Sequence, residues 1–173
     1  MSSQPQYFGK FRAVVVDVDD PDKRGRVRVK CPKVLGEGKS KWCEVCSPVA
    51  YEDHGDFCLP KKDDTVWVEF EDGNPNKPVY VGAWWSNEHT SAADEYGDDI
   101  RIIEFDGCKI KMKSDESIET TIKNSKVLMK EDETTVSVGD NCEIKLTDKT
   151  IELSVGSATL KLDGDSGKIY LNS

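Results

Sequence analysis

Cys43-Glu44-Val45-Cys46 has the spacing of a zinc or redox pair, and Cys31 and Cys58 stand 12 residues to either side. Metal-binding pairs of this kind sit on a turn that brings both sulfurs to one point. On a strand, residues i and i+3 face opposite sides, so a strand here makes these structural cysteines, small apolar side chains rather than ligands. Gly36-Glu37-Gly38-Lys39-Ser40 ends like a phosphate-binding loop, but that motif needs a glycine five positions before Gly38, where Lys33 stands. An exposed loop is expected. Arg26, Arg28 and Lys30 line one side of an alternating segment and could grip nucleic acid, yet they lack a matched set of exposed aromatics for base stacking. They read as a solvated strand face or a contact to an acidic partner. His54 and His89, the two histidines, lie in polar stretches and assemble neither a triad nor a metal cluster. Glu69, Glu71 and Asp72 could supply paired carboxylates for glycoside cleavage, but they fall at turn positions. No catalytic, cofactor-binding or metal site is expected.

The elements that would carry these residues must come from 173 residues with 33 Asp and Glu against 24 Lys and Arg. Residues 1–90 hold 13 basic and 15 acidic groups, and residues 91–173 hold 11 and 18. That negative field opposes phosphate backbones, so nucleic acid is not an expected partner. No apolar run approaches the roughly 20 residues that cross a bilayer. The opening segment MSSQPQYFGK lacks the apolar core and cleavage site of a secretory signal. A cytosolic start, with its six cysteines as reduced thiols, is the expectation.

Alternation of apolar and polar residues recurs throughout and helical periodicity is hard to find, which makes the chain all-β. Five strands are read in the first half: Phe11 to Val18, Arg26 to Cys31, Trp42 to Cys46, Thr65 to Phe70, and Pro78 to Trp85. Asp20-Pro21-Asp22-Lys23-Arg24-Gly25 joins the first two as a hairpin, and Glu71 to Asn76 joins the last two. With one irregular crossing, Ser47 to Asp64, this suits a small barrel of the OB type, with Val27, Val29 and Cys31 in its core. Of the adjacent Trp84 and Trp85, one ring should enter the core and the other should meet a neighbouring chain.

Residues 86–99 hold little apolar material and read as a linker between an OB unit at 1–85 and a second unit at 100–173. From Ile100 onward apolar anchors recur every 7 to 9 residues: Ile110, Ile118, Val127, Val136, Ile144, Leu153, Leu160 and Ile169. Strands so short leave one chain's apolar row uncovered. Three copies wrapping a shared axis, as a prism with one face per chain, would bury it. The expected trimer core is Ile144, Leu146, Leu153, Val155, Leu160, Leu162, Ile169 and Leu171.

Pro21 to Val29, Trp42 to Pro48, Leu59 to Phe70, and Asn76-Lys77-Pro78-Val79-Tyr80-Val81-Gly82 together resemble the OB domain of contractile-tail central spike proteins. That family includes the baseplate spike of T-even-type phages, baseplate assembly protein V of P2-like phages, and the valine-glycine repeat proteins of type VI secretion. The C-terminal repeats resemble the family's intertwined triple-stranded β-helix, with Val138-Gly139 and Val155-Gly156 echoing its valine-glycine theme. The resemblance implies a homotrimeric, non-enzymatic spike in the virion tail baseplate, assembled in the host cytoplasm. The spike would dock on a separate tail hub protein at its OB end and pierce the target cell envelope. Type VI members carry a hub domain ahead of the barrel, whereas here the barrel begins by Phe11. T-even-type spikes carry a lysozyme domain where this chain has only residues 86–99. Some members end in an iron-binding His-x-His apex, but no histidine follows His89. A small conical tip protein with proline-alanine-alanine-arginine repeats is therefore expected on Ile169, Tyr170, Leu171, Asn172 and Ser173, bringing any metal itself. The rival readings are an OB module for oligosaccharide or single-stranded nucleic acid with a trimerising tail, and a small envelope hydrolase using the barrel's carboxylates.

Overall fold

The computed structural model describes residues 5–87 and 97–172. The chain forms two compact units, Met1–Ser91 and Ala92–Ser173. His89 and most of the 86–99 segment lie outside the described residues, as does Ser173.

The first unit comprises β1 (Phe11–Asp17), β2 (Arg28–Lys30), the one-turn helix α1 (Pro32–Leu35), β3 (Glu44–Val45), β4 (Ala50–Tyr51), β5 (His54–Gly55), β6 (Thr65–Phe70) and β7 (Pro78–Ala83). Its sheet runs β2-β1-β6-β7-β3, with β3 parallel to β7 and the other pairs antiparallel. Val27 and Cys43 exchange backbone hydrogen bonds of 3.4 and 2.7 Å, joining the two edges and closing the sheet into a barrel. Alternation fixes which side chains enter it. In β6, Val66, Val68 and Phe70 are buried while Thr65, Trp67 and Glu69 face outward. They meet Ala13, Val15, Val27, Val29, Cys31, Cys43 and Tyr80 in one apolar core.

The expected strands are present, with shorter ends. Arg26 falls outside β2 because its backbone N–H turns to the Asp20 carboxylate, 3.3 Å away. The expected exposed loop at 36–40 is corrected at Ser40, which is only 3% exposed. Its hydroxyl accepts the Val29 N–H at 2.9 Å, and its own N–H donates to the Val29 carbonyl, so the segment is stitched to β2. The crossing from Ser47 to Asp64 contains the β4–β5 hairpin, which lacks an apolar alternation to announce it. The Ser47 hydroxyl lies within hydrogen-bonding distance of the Val49 and Asp56 carbonyls at its base.

The second unit is one antiparallel sheet of nine strands, each paired to its neighbours in sequence: β8 (Ile100–Phe105), β9 (Cys108–Lys113), β10 (Ser117–Ile122), β11 (Ser125–Met129), β12 (Glu133–Val138), β13 (Cys142–Thr147), β14 (Thr150–Val155), β15 (Ala158–Asp163) and β16 (Lys168–Asn172). Tight turns suit the two-residue hairpins. Asp106 and Gly107 both have positive φ, at 49° and 79°, as the turn matching strand twist requires. Two turns repeat seventeen residues apart: the Gly139 N–H donates to the Asn124 carbonyl and the Gly156 N–H to the Asn141 carbonyl, each at 2.8 Å. Both edges of every strand from β9 to β15 are occupied by the same chain, which leaves no ladder position for a strand of another copy. The short turns dictate this, because two to four linking residues reach only the adjacent strand.

Candidate functional site

Cross-strand register sorts the nine-stranded sheet into two unlike faces. On one, a central row runs Ile103, Ile110, Thr120, Val127, Val136, Ile144, Leu153, Leu160 and Leu171. A row on one side runs Arg101, Met112, Ile118, Met129, Thr134, Leu146, Ile151, Leu162 and Ile169. The row on the other side runs Phe105, Cys108, Ile122, Ser125, Val138, Cys142, Val155 and Ala158. All eight residues expected in a trimer core fall on this face. In the single chain it is uncovered: Ile144 and Leu153 are each 39% exposed and Leu171 79%. Arg101 is the one charged side chain on this face among the described residues.

The opposite face is polar and charge-matched. Lys145 lies between Thr135 and Glu152 and ion-pairs diagonally with Glu133; Lys126 pairs with Glu119 and Lys109 with Glu104. The Lys145 ammonium holds the Glu133 carboxyl below the usual range, and Glu133 in turn raises Lys145. At the far end, Ile169, Tyr170, Leu171 and Asn172 form β16, which pairs only with β15 and so presents an open edge. Ile169 and Leu171 point to the apolar face and Tyr170 to the polar one.

The chemistry-bearing residues of the first unit are placed apart or already engaged. Cys43 is buried and Cys46 exposed, as strand geometry requires. Burial pushes the Cys43 thiol up to about 11 and raises Cys31 also. Cys31 and Cys43 fit the expected packing role, whereas Cys46, Cys58, Cys108 and Cys142 are exposed. No group of three or more His, Cys, Asp or Glu among the described residues is arranged to hold a metal ion. Arg26 is not a solvated strand residue: its guanidinium meets both Asp20 oxygens at 2.6 to 3.2 Å, with that carboxylate 4% exposed. Arg26 holds the Asp20 carboxyl well below the usual range, and Asp20 raises Arg26. Arg28 lies 4.6 Å from the centre of the Trp42 ring. Glu69 pairs with Lys10 and Glu71 with Lys77, while Asp72 holds a turn with φ of 52°. His54 is exposed, its Nδ1 3.2 Å from the Glu52 carbonyl.

Trp84 does not enter the core. It packs on the barrel exterior, 6.0 Å from the Trp67 ring, with the Arg12 guanidinium 4.3 Å from its centre. Trp85 is 71% exposed. β7 ends at Ala83, so strand alternation does not govern these two rings.

The closed order β2-β1-β6-β7-β3, with β3 parallel to β7, defines the first unit as an OB barrel in an all-β protein. Residues 11–85 match the family model of the type VI secretion system/phage-baseplate injector OB domain, and this unit belongs to that family. That match supports a structural role of the phage-baseplate or type VI spike type. No curated protein matches the chain. No helix among the described residues is long and apolar enough to cross a membrane.

Proposed function

We propose that the chain is the homotrimeric central spike of a contractile injection machine, of the phage tail baseplate kind. Its OB units dock on a tail hub, and its C-terminal sheets close into a rigid shaft that penetrates the target envelope. One observation carries the reading: an apolar sheet face, nine strands long, that a single chain leaves open to water. Exposed apolar surface of this extent is characteristic of an assembly interface. Two copies packed face to face would cover it, but three fit its width better. Strands of five or six residues make a triangle about 17 to 20 Å on a side, whose inscribed radius is about 5 to 6 Å. That is the reach of one branched aliphatic side chain, so the three central rows fill the axis. The triple-stranded β-helix is then a prism with one sheet per copy.

The polar face becomes the outside of the shaft, and the acidic turns that flank it, among them Asp106, Asp115, Asp132 and Asp148, keep the assembly soluble. The open edge of β16 and the apolar ends of Ile169 and Leu171 receive a separate tip protein. The role is mechanical, with neither catalysis nor a cofactor. Light scattering on a sizing column gives a mass three times 19.3 kDa under this proposal. A dilute folded monomer, or a dimer, refutes it. Tip docking is tested by co-expressing a conical tip protein with the full chain and with a chain ending at Asp163, and equal capture by both refutes the β16 surface.

A further inference from the structure

The two outer rows of the apolar face are matched in size, strand by strand. On β9, β11, β13 and β15 a long unbranched or γ-branched side chain in one row accompanies a small one in the other: Met112 with Cys108, Met129 with Ser125, Leu146 with Cys142, Leu162 with Ala158. On β10, β12 and β14 both are β-branched: Ile118 with Ile122, Thr134 with Val138, Ile151 with Val155. The alternation holds across all seven strands. Neighbours along each row touch within one chain, but the two rows do not, because residues four apart on a strand are separated by about 13 Å; the matching between rows therefore has no packing reason in a single chain.

The matching has a reason where the row on one side of a copy meets the row on the other side of the next copy. Resting on the trimer proposed above, we infer that neighbouring copies meet with strand n against strand n, so that each large side chain fills the space beside a small one. A slip by one strand would set Leu146 against Val138 or Val155 and Cys142 against Ile151 or Thr134. Successive levels would then be alternately overfilled and hollow, and interiors tolerate neither. In the level arrangement every Cys, Ser or Ala faces a Met or Leu, whereas a slip sets Thr134 against Ser125 or Cys142 and leaves that level hollow. The level arrangement also brings Arg101, the one charge on the face among the described residues, beside the position of the neighbouring copy's Phe105, where an aromatic face accommodates a guanidinium. The partner is thus a second copy in one register, and the register is written in side-chain volume rather than in charge.

Cysteine pairing reads the register directly, because Cys142 already occupies one of the two rows. In Leu146→Cys, mild oxidation joins position 146 of each copy to Cys142 of the next, giving a covalent trimer on a non-reducing gel. In Thr134→Cys and Ile151→Cys, one level away, no such species forms. A size exchange supplies a second reading: Cys142→Leu and Leu146→Cys each lower the melting midpoint of the trimer, and together they recover most of the loss. Cross-linking through position 134 or 151 in place of 146 overturns the level register. A trimer by light scattering with neither cross-link nor recovery overturns the contact between these rows while leaving the trimer standing. A monomeric unmodified protein refutes the trimer itself, and the register with it.

Discussion

Leu153 sits in the central row of the apolar face, with Ile144 and Leu160 directly opposite it on β13 and β15. Leu153→Asp tests whether that face is buried, because the two possible surroundings predict very different costs. On an uncovered face the new carboxylate stays in water and only a partly exposed leucine is lost. Around the axis of a trimer, three carboxylates are placed in an apolar interior, at several kcal/mol for each ion after relaxation. The sum is on the order of 10 kcal/mol, comparable to the whole stability of a domain, so the assembly should fail to form at neutral pH. Burial also leaves a titration signature. Desolvation raises the carboxyl pKa in the assembled state above its unfolded value of about 3.9, so the assembly binds more protons than the separated chains. The penalty is then greatest at high pH and shrinks as pH falls through the raised pKa. Recovery of assembly between about pH 7 and pH 5 is expected, with mass measured by light scattering and melting followed in parallel. Thr159→Asp, on the polar face opposite Ser154 and Asn172, is the control and should change melting little. Equal melting of the two variants, without pH dependence, would refute the reasoning.

In the OB unit, Asp20→Asn removes the carboxylate charge that faces the Arg26 guanidinium and should lower the melting midpoint at pH 7. Because Asp20 has a depressed pKa in the folded unit, its contribution persists above the ordinary carboxylate range and is lost only as pH falls below about 3.9 toward the folded value; loss already near pH 6 would contradict this. A thiol reagent at pH 8 should modify Cys46 and Cys58 promptly and Cys43 only on unfolding, since burial suppresses its thiolate. Mass spectrometry of timed samples reads the order. No cell-wall clearing is expected from the purified chain, and activity that disappears in Glu69→Ala or Asp72→Ala would establish a hydrolase.

Period-2 alternation made β6 legible to the residue, because Thr-Val-Trp-Val-Glu-Phe admits only one placement of its valines. The same pattern placed Val27, Val29 and Cys31 in the barrel core. Ser40 was not legible. A polar residue beside glycines reads as loop, and only the approach of β2 turns its hydroxyl inward. Arg26 was read by its strand position, but its guanidinium follows the proline-containing turn that carries Asp20. In the second unit, spacing identified the apolar residues that share a face. It did not distinguish strands paired within one chain from strands interleaved between chains, since both place the same side chains inward. That distinction lies in the turns. The outer rows, with Arg101, Phe105, Cys108 and Cys142, become visible only when antiparallel register is imposed, although the seventeen-residue spacing of Asn124 with Asn141 and Gly139 with Gly156 was a signal available in the sequence.

The paired turns at Gly139 and Gly156 also make the second unit a molecular ruler. Because every strand bonds only to the strands before and after it, length along the sheet is counted by strands, at about 4.8 Å for each. A two-strand block of seventeen residues, from Asn124 to Asp140, restores the chain direction and returns every side chain to its own row. Duplicating such a block would extend the sheet by about 10 Å without altering its cross-section. Removing one strand alone would reverse the path of everything after it. Length can therefore change only in steps of two strands, at constant cross-section.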